Sequence, residues 1–197
     1  MKKFILVLTL FISCSVFADA KDILKQRLDK IEGLHAQFSQ TVTTADNQLV
    51  QQGKGELWLS RPHFFNWEMT EPDESALISD GKNLWIYLPD VEQVTIMSFN
   101  QAVDNRLLLL ITDKNSAAWQ DYNVKRNQNE FTLTPINQSG QSYKISVLPT
   151  GMLANFTIID EDGQTSFYEL SHQKMGSINK QKFTFTVPDG VTIDDQR

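Results

Sequence analysis

A single cysteine, Cys14, stands in the 197-residue sequence. With no second thiol in the chain there is no internal disulfide and no cysteine-built metal site. Long apolar runs are missing too. No stretch reaches the roughly 20 residues that carry a helix across a bilayer. Basic side chains are outnumbered, 18 Lys and Arg against 24 Asp and Glu, for a net charge of −6. Such a surface repels nucleic acid and anionic lipid headgroups. Catalytic signatures are equally scarce. The chain has no Gly-x-Ser-x-Gly elbow, no glycine-rich phosphate loop, no His-Glu-x-x-His and no dinucleotide fingerprint. His35, His63 and His172 occur singly. The carboxylate runs Asp160-Glu161-Asp162 and Asp194-Asp195 sit where a turn and a tail are expected, so a solvated surface accounts for them. An enzyme, for instance a periplasmic hydrolase, is the weaker alternative.

What is present begins with an address. Lys2 and Lys3 precede an apolar run from Phe4 to Ile12, and Val16-Phe17-Ala18 places small residues where a signal peptidase reads them. Cleavage is expected after Ala18, leaving residues 19–197 as one domain in the periplasm with 16 basic against 24 acidic side chains, a net charge of −8. Phe11-Ile12-Ser13-Cys14 loosely resembles a lipobox, which keeps open a lipid-anchored alternative. The intact mass of the mature N-terminus separates the two.

From Asp19 the spacing of Leu24, Leu28 and Ile31 predicts an amphipathic helix, with Asp19 as its cap. Beyond Leu34 the period falls to two. Strands are expected over 34–42, 49–60, 63–69, 75–80, 83–88, 91–97, 119–126, 130–135, 142–148, 152–160, 164–172 and 182–186. Asp80-Gly81, Ser139-Gly140, Pro149-Thr150-Gly151, Asp162-Gly163 and Asp189-Gly190 supply turns. Short, evenly spaced strands of this kind fold as antiparallel hairpins into one curved sheet or an incomplete barrel. One helix, 98–111, interrupts them. Phe99, Ala102, Val103, Leu107 and Leu110 share a face, and Leu108, Leu109 and Ile111 make its end apolar all round, so it must be covered on every side.

The stretch RPHFFNWEM concentrates the question of function. Alternation puts Phe65, Trp67 and Met69 on one face and Phe64, Asn66 and Glu68 on the other, behind an arginine, Arg61, held extended or in a turn by the proline after it. Leu84 and Ile86 oppose Trp85 and Tyr87 in the same way, and Phe38, Phe156 and Ile158 add apolar surface from other strands. One sheet face this rich either packs as an ordinary core or encloses an apolar ligand. Periodicity does not separate the two.

Three segments, GELWLSRPHFFNWEMTEPDESALISDGKNLWIY, WQDYNVK and KFTFTVPDGVTIDDQR, closely resemble the LolA family, soluble periplasmic carriers of outer-membrane lipoproteins in Gram-negative bacteria. The likeness runs from LKQRLDKI to the final arginine. It implies a mainly β fold, an unclosed antiparallel β-barrel of about eleven strands covered by an α-helical lid made from the first helix and 98–111. By the resemblance Arg61 locks that lid through backbone carbonyls, and Phe65 lines a cavity for acyl chains. Candidate cavity walls are then Phe65, Trp67, Met69, Leu28, Phe38, Leu84, Ile86, Phe99, Leu107, Leu110, Phe156 and Ile158. The implied cargo is a diacylated or triacylated lipoprotein, taken from an inner-membrane ATP-driven release complex and passed to the outer-membrane receptor LolB. The resemblance implies a monomer with no nucleic acid, no stable membrane insertion and no cofactor or metal. It also gives the segment from Phe183 to Arg197 a last strand and an acidic tail that helps keep the carrier off membranes. One departure stands out. The family's lid often breaks at a proline or glycine, whereas Asp104-Asn105-Arg106-Leu107 has neither, which predicts a longer helix.

Overall fold

A computed structural model of the protein describes residues 19–99 and 106–197. The signal-like segment, Cys14, Ala102 and Val103 lie outside the described residues. Asp19 accepts the amide of Lys21 and opens α1 (Ala20–Leu28), whose Leu24 and Leu28 are fully buried. The helix ends at Leu28 rather than Ile31, because the amides of Lys30 and Ile31 turn back to the carbonyls of Arg27 and Leu28.

Strands follow as β1 (Gly33–Thr43), β2 (Leu49–Ser60), β3 (Phe64–Glu71), β4 (Ser75–Asp80), β5 (Asn83–Leu88) and β6 (Gln93–Ser98). Then come α2 (Arg106–Thr112), β7 (Tyr122–Asn127), β8 (Glu130–Pro135), β9 (Ser142–Val147), β10 (Leu153–Ile159), β11 (Thr165–Met175) and β12 (Thr192–Asp195). All belong to one sheet in the order β12-β6-β5-β4-β3-β2-β1-β11-β10-β9-β8-β7. Its ends, β12 and β7, do not pair, so the sheet is an open half-barrel.

Period-two alternation gives this sheet two unlike faces. Leu57 pairs with Trp67, Trp67 with Leu77 and Leu77 with Ile86, a row that crosses four strands on the concave side. Leu59, Phe65, Ser79, Leu84 and Met97 form the next row. Two glycines on β2 shape that side. A Cβ on Gly55 would lie 2.5 Å from the Phe38 ring, and one on Gly53 2.6 Å from the Met69 methyl. Their missing side chains are the space in which Phe38 and Met69 lie across the sheet. Both helices cover the concave face, with Leu24, Leu28, Leu110 and Ile111 joining Phe65, Leu84 and Phe156 in one buried cluster.

Several expectations need correcting. Ser98 closes β6, so the second helix does not begin there; among the described residues it runs from Arg106 to Thr112. Residues Ala117–Asp121 form a 3-10 turn before β7, burying Trp119 where a strand was expected. The alternating run 182–186 is not a strand either. Lys180–Phe183 is a 3-10 turn, and the segment crosses the convex face as a strap, with Phe183 against Phe64 and Phe185 against Trp85 and Tyr87. Beyond it β12 pairs parallel to β6, the one parallel pairing in an otherwise antiparallel sheet of twelve described strands.

Candidate functional site

Arg61 sits in the turn between β2 and β3, at the end of the half-barrel where α1 stops and α2 finishes. Its Nε donates to the carbonyl of Ile31 at 2.9 Å, its Nη2 to the carbonyl of Ile111 at 2.8 Å, and its Nη1 reaches Asp29 Oδ1 at 3.4 Å. One guanidinium thus ties the sheet to both helices. The fork suits the task, because its donors diverge in a plane and Ile111 lies among the last carbonyls of α2, which have no intrahelical partner. Burial lowers the Arg61 pKa, opposed by Asp29 and Asp113, and the group stays cationic.

Other bonds attach the helices at neighbouring points. His63 Nε2 lies 3.1 Å from Asp113 Oδ2, just past the end of α2, and Lys114 Nζ lies 2.6 Å from Asp29 Oδ2. At the start of α2, Arg106 pairs with Asp121 at 2.6 Å. The attachment of α1 is different in kind. Arg27 is buried, and its Nη1 donates to Asn129 Oδ1 at 2.8 Å and to the Val147 carbonyl at 2.7 Å. A buried arginine satisfied inside the sheet anchors α1, whereas α2 is held to the frame by partly exposed groups at its two ends.

Between α2 and the sheet lies an apolar cavity of about 180 Å³. Of the expected wall residues, Trp67, Leu107, Phe156 and Ile158 line it. Leu28, Phe38, Phe65, Leu84, Phe99 and Leu110 are buried in the surrounding cluster, and Met69 packs against it. Ile86 shares the concave row but is only half-buried and lies outside the cluster. Leu77, Leu108, Gln141 and Tyr168 also line the cavity and were not foreseen. Tyr168 carried a usable signal, since Ser166, Tyr168 and Leu170 alternate along β11, but the neighbouring Phe167 is as bulky and points outward, 37 % exposed. Four rings close the cavity's lower side. Trp67 meets Tyr168 edge-on at 5.0 Å, Phe38 lies 4.4 Å from Trp67, and Phe156 stacks on Tyr168 at 4.7 Å. The Tyr168 hydroxyl accepts from Gln40 Nε2 at 2.8 Å. Burial raises its pKa, against the lowering effect of that bond, so it stays a neutral phenol.

An open half-barrel with an apolar concave face, helices drawn across it and a cavity beneath is the architecture of a carrier for apolar groups. Residues 29–186 match the family described as outer membrane lipoprotein carrier protein LolA. An outer-membrane lipoprotein carrier protein of Yersinia pestis is 50% identical over 188 residues, covering 94% of this chain and 93% of that one. Its namesake in Serratia proteamaculans is 50% identical over 189 residues, with 95% and 93% covered. The chain belongs to the LolA family, which is a family of carriers and not of enzymes. Among solved structures, a LolA superfamily protein from Nitrosomonas europaea superposes with a TM-score of 0.51 at 15% identity, covering 86% of this chain and 99% of that one. An uncharacterized conserved protein from Thermus thermophilus gives 0.54 at 13% identity, covering 90% and 99%. At such identities these two speak for the fold alone.

Proposed function

We propose that this chain is a soluble periplasmic carrier that shelters the acyl chains of a diacylated or triacylated lipoprotein between the concave sheet and the helices. It accepts them from an inner-membrane ATP-driven release complex and hands them to the outer-membrane receptor LolB. The observation that carries this reading is the cavity under α2, apolar on nearly every side and walled by Trp67, Leu107, Phe156 and Ile158. At about 180 Å³ it is close to the roughly 150 Å³ void that admits a benzene molecule and below the roughly 300–1,000 Å³ of ordinary ligand sites. An acyl chain needs more room than this, so loading displaces α2.

Energetics then assign roles. Burying acyl chain is worth about 0.8 kcal/mol per CH₂, so a single sixteen-carbon chain is kept from water by roughly 12 kcal/mol. Release into water is negligible, and cargo passes only between apolar surfaces in contact. A carrier also has to let go. Displacing α2 breaks the Arg61 bond to Ile111, which raises the energy of the loaded state and makes hand-over downhill. Arg61 is the lock. The residues packed around the cavity, Phe65 and Leu110 among them, are the walls exposed as it opens.

Native mass spectrometry of the protein isolated from its own periplasm tests this. Adducts with the mass of acylated lipoprotein are expected, on a chain that begins at Asp19 and carries no lipid of its own. Protein that is uniformly empty under conditions of lipoprotein export would overturn the reading.

A further inference from the structure

Below the ring cluster lies a second hollow of about 530 Å³, open to solvent between the β3–β4 and β5–β6 turns. It shares two residues with the inner cavity, Trp67 and Tyr168. One pair of side chains therefore stands between a small apolar space under α2 and a larger, more open one within the ordinary size of a ligand site. The partition has one polar fastening on the side of the outer hollow. Both rings pack on Phe38 and Phe156, and the tip of Tyr168 accepts a hydrogen bond from Gln40, itself a wall of the outer hollow. The far wall is apolar and unexplained by packing: Leu88 is 40 % and Val91 64 % exposed. Around it stand the exposed carboxylates of Asp73, Glu74 and Asp90.

We propose that the outer hollow is a second compartment for the acyl chain, entered from the inner cavity when Tyr168 leaves Gln40 and turns aside from Trp67. The proposal rests on the carrier reading above. The occupant is the methyl end of a saturated chain. The acidic rim repels phosphate and carboxylate headgroups, so the uncharged tail is the part that reaches Leu88 and Val91, and the headgroup stays on the side of α2 and Arg61. Chain length becomes the quantity the two compartments measure together. A short chain is housed by the inner cavity, and a long one has to cross the partition.

The test uses the full mature chain carrying Val91→Cys, an exposed position, with Met152→Cys on the β9–β10 turn as control. Brominated palmitate and brominated octanoate are the probes. Quenching of Trp67 emission, taken as the difference from Trp67→Phe, reports arrival of a chain at the partition that the two compartments share. The rate of thiol alkylation reports the outer hollow. Both acids are expected to quench Trp67. At about ten times its Kd, palmitate is expected to slow alkylation at position 91 by about tenfold, octanoate hardly at all, and position 152 is unaffected by either. Quenching by palmitate with alkylation at 91 unchanged overturns the second compartment and leaves the carrier reading standing. Absence of quenching by both acids overturns the carrier reading and this proposal with it.

Discussion

His63 Nε2 and Asp113 Oδ2 stand 3.1 Å apart across the seam between the β2–β3 turn and the end of α2, beside the bond from Arg61 to Ile111. The pair is well supported on both sides. Ser79 Oγ donates to the His63 carbonyl at 2.8 Å and holds its left-handed backbone, φ 68°, while the second oxygen of Asp113 accepts the Asn115 amide and its carbonyl accepts the Trp119 indole. His63 is thus a second fastener of α2. His63→Asn tolerates the left-handed backbone but is too short to reach the carboxylate. A net hydrogen bond of about 0.5–1.5 kcal/mol predicts that it speeds amide hydrogen exchange in α2 by about two- to tenfold. Asp113→Ala is expected to do at least as much, and the double variant no more than the larger single effect. Additive effects would show that the two side chains are not coupled.

Arg61 predicts a different phenotype, because its loss affects transfer more than binding. A bond from a charged donor is worth about 1.5–3 kcal/mol, and about 1.4 kcal/mol is a factor of ten in an equilibrium. Arg61→Leu removes the bond that the loaded state has to break, so the closed, empty form loses its advantage. The variant is expected to load lipoprotein as fully as the parent and to pass it to receptor-bearing membranes at least about tenfold more slowly. Equal transfer rates for the two proteins would refute the lock.

The same turn shows how far alternation alone can be read. Phe65, Trp67 and Met69 share the concave face as the two-residue period requires, and the paired rows extend that face to Leu84 and Ile86. On the convex side the period misleads at Asn66, which is 3 % exposed because the strap covers it; its Nδ2 donates to Glu68 Oε1 and to the Lys182 carbonyl. Lys182 also lies over the Trp58 ring at 3.8 Å. The strap itself reads as a strand in the sequence because Phe183 and Phe185 alternate with polar residues. Alternation reports that one side of an extended segment is apolar, and it carries no information about whether the backbone pairs. Likewise β12 is short, polar and acidic, and its pairing is fixed by β6 rather than by its own composition. The Arg61 role came from family likeness, since an isolated arginine before a proline has no partner visible along the chain.

Gly55 tests whether the concave face is shaped by absent side chains. A Cβ there would clash with the Glu68 carbonyl and lie 2.5 Å from the Phe38 ring. Both neighbours are constrained, one as backbone in the β2–β3 ladder and the other in the ring cluster. Gly55→Val is expected to cost about 3 kcal/mol or more in urea unfolding, at the upper end of overpacking penalties. Gly140, whose surroundings are open but whose φ is +98°, separates backbone strain from crowding. Gly140→Ala is expected to cost only about 1 kcal/mol. Similar losses at both sites would mean that space beside Phe38 is not the limiting factor.

Removal of residues 188–197 bears on the two unpaired ends of the sheet. Strand β7 protects its own free edge with Lys125 and Arg126, as exposed edges commonly do. Strand β6, Gln93–Ser98, has no such charges; β12 covers it through the Thr192 amide to the Glu92 carbonyl at 2.7 Å and the Gln196 amide to the Ile96 carbonyl at 2.8 Å. The truncated chain keeps the strap, with Phe183 and Phe185 still on the convex face, but bares a strand whose Val94 and Ile96 are apolar. It is expected to associate as its concentration rises, with the change visible in sedimentation velocity, and to lose transfer activity in proportion to the associated fraction. Adding two lysines, Thr95→Lys and Gln93→Lys, to the truncated chain restores charge to the edge and is expected to return it to the monomer. A truncated chain that stays monomeric and fully competent would show that β12 does not guard this edge.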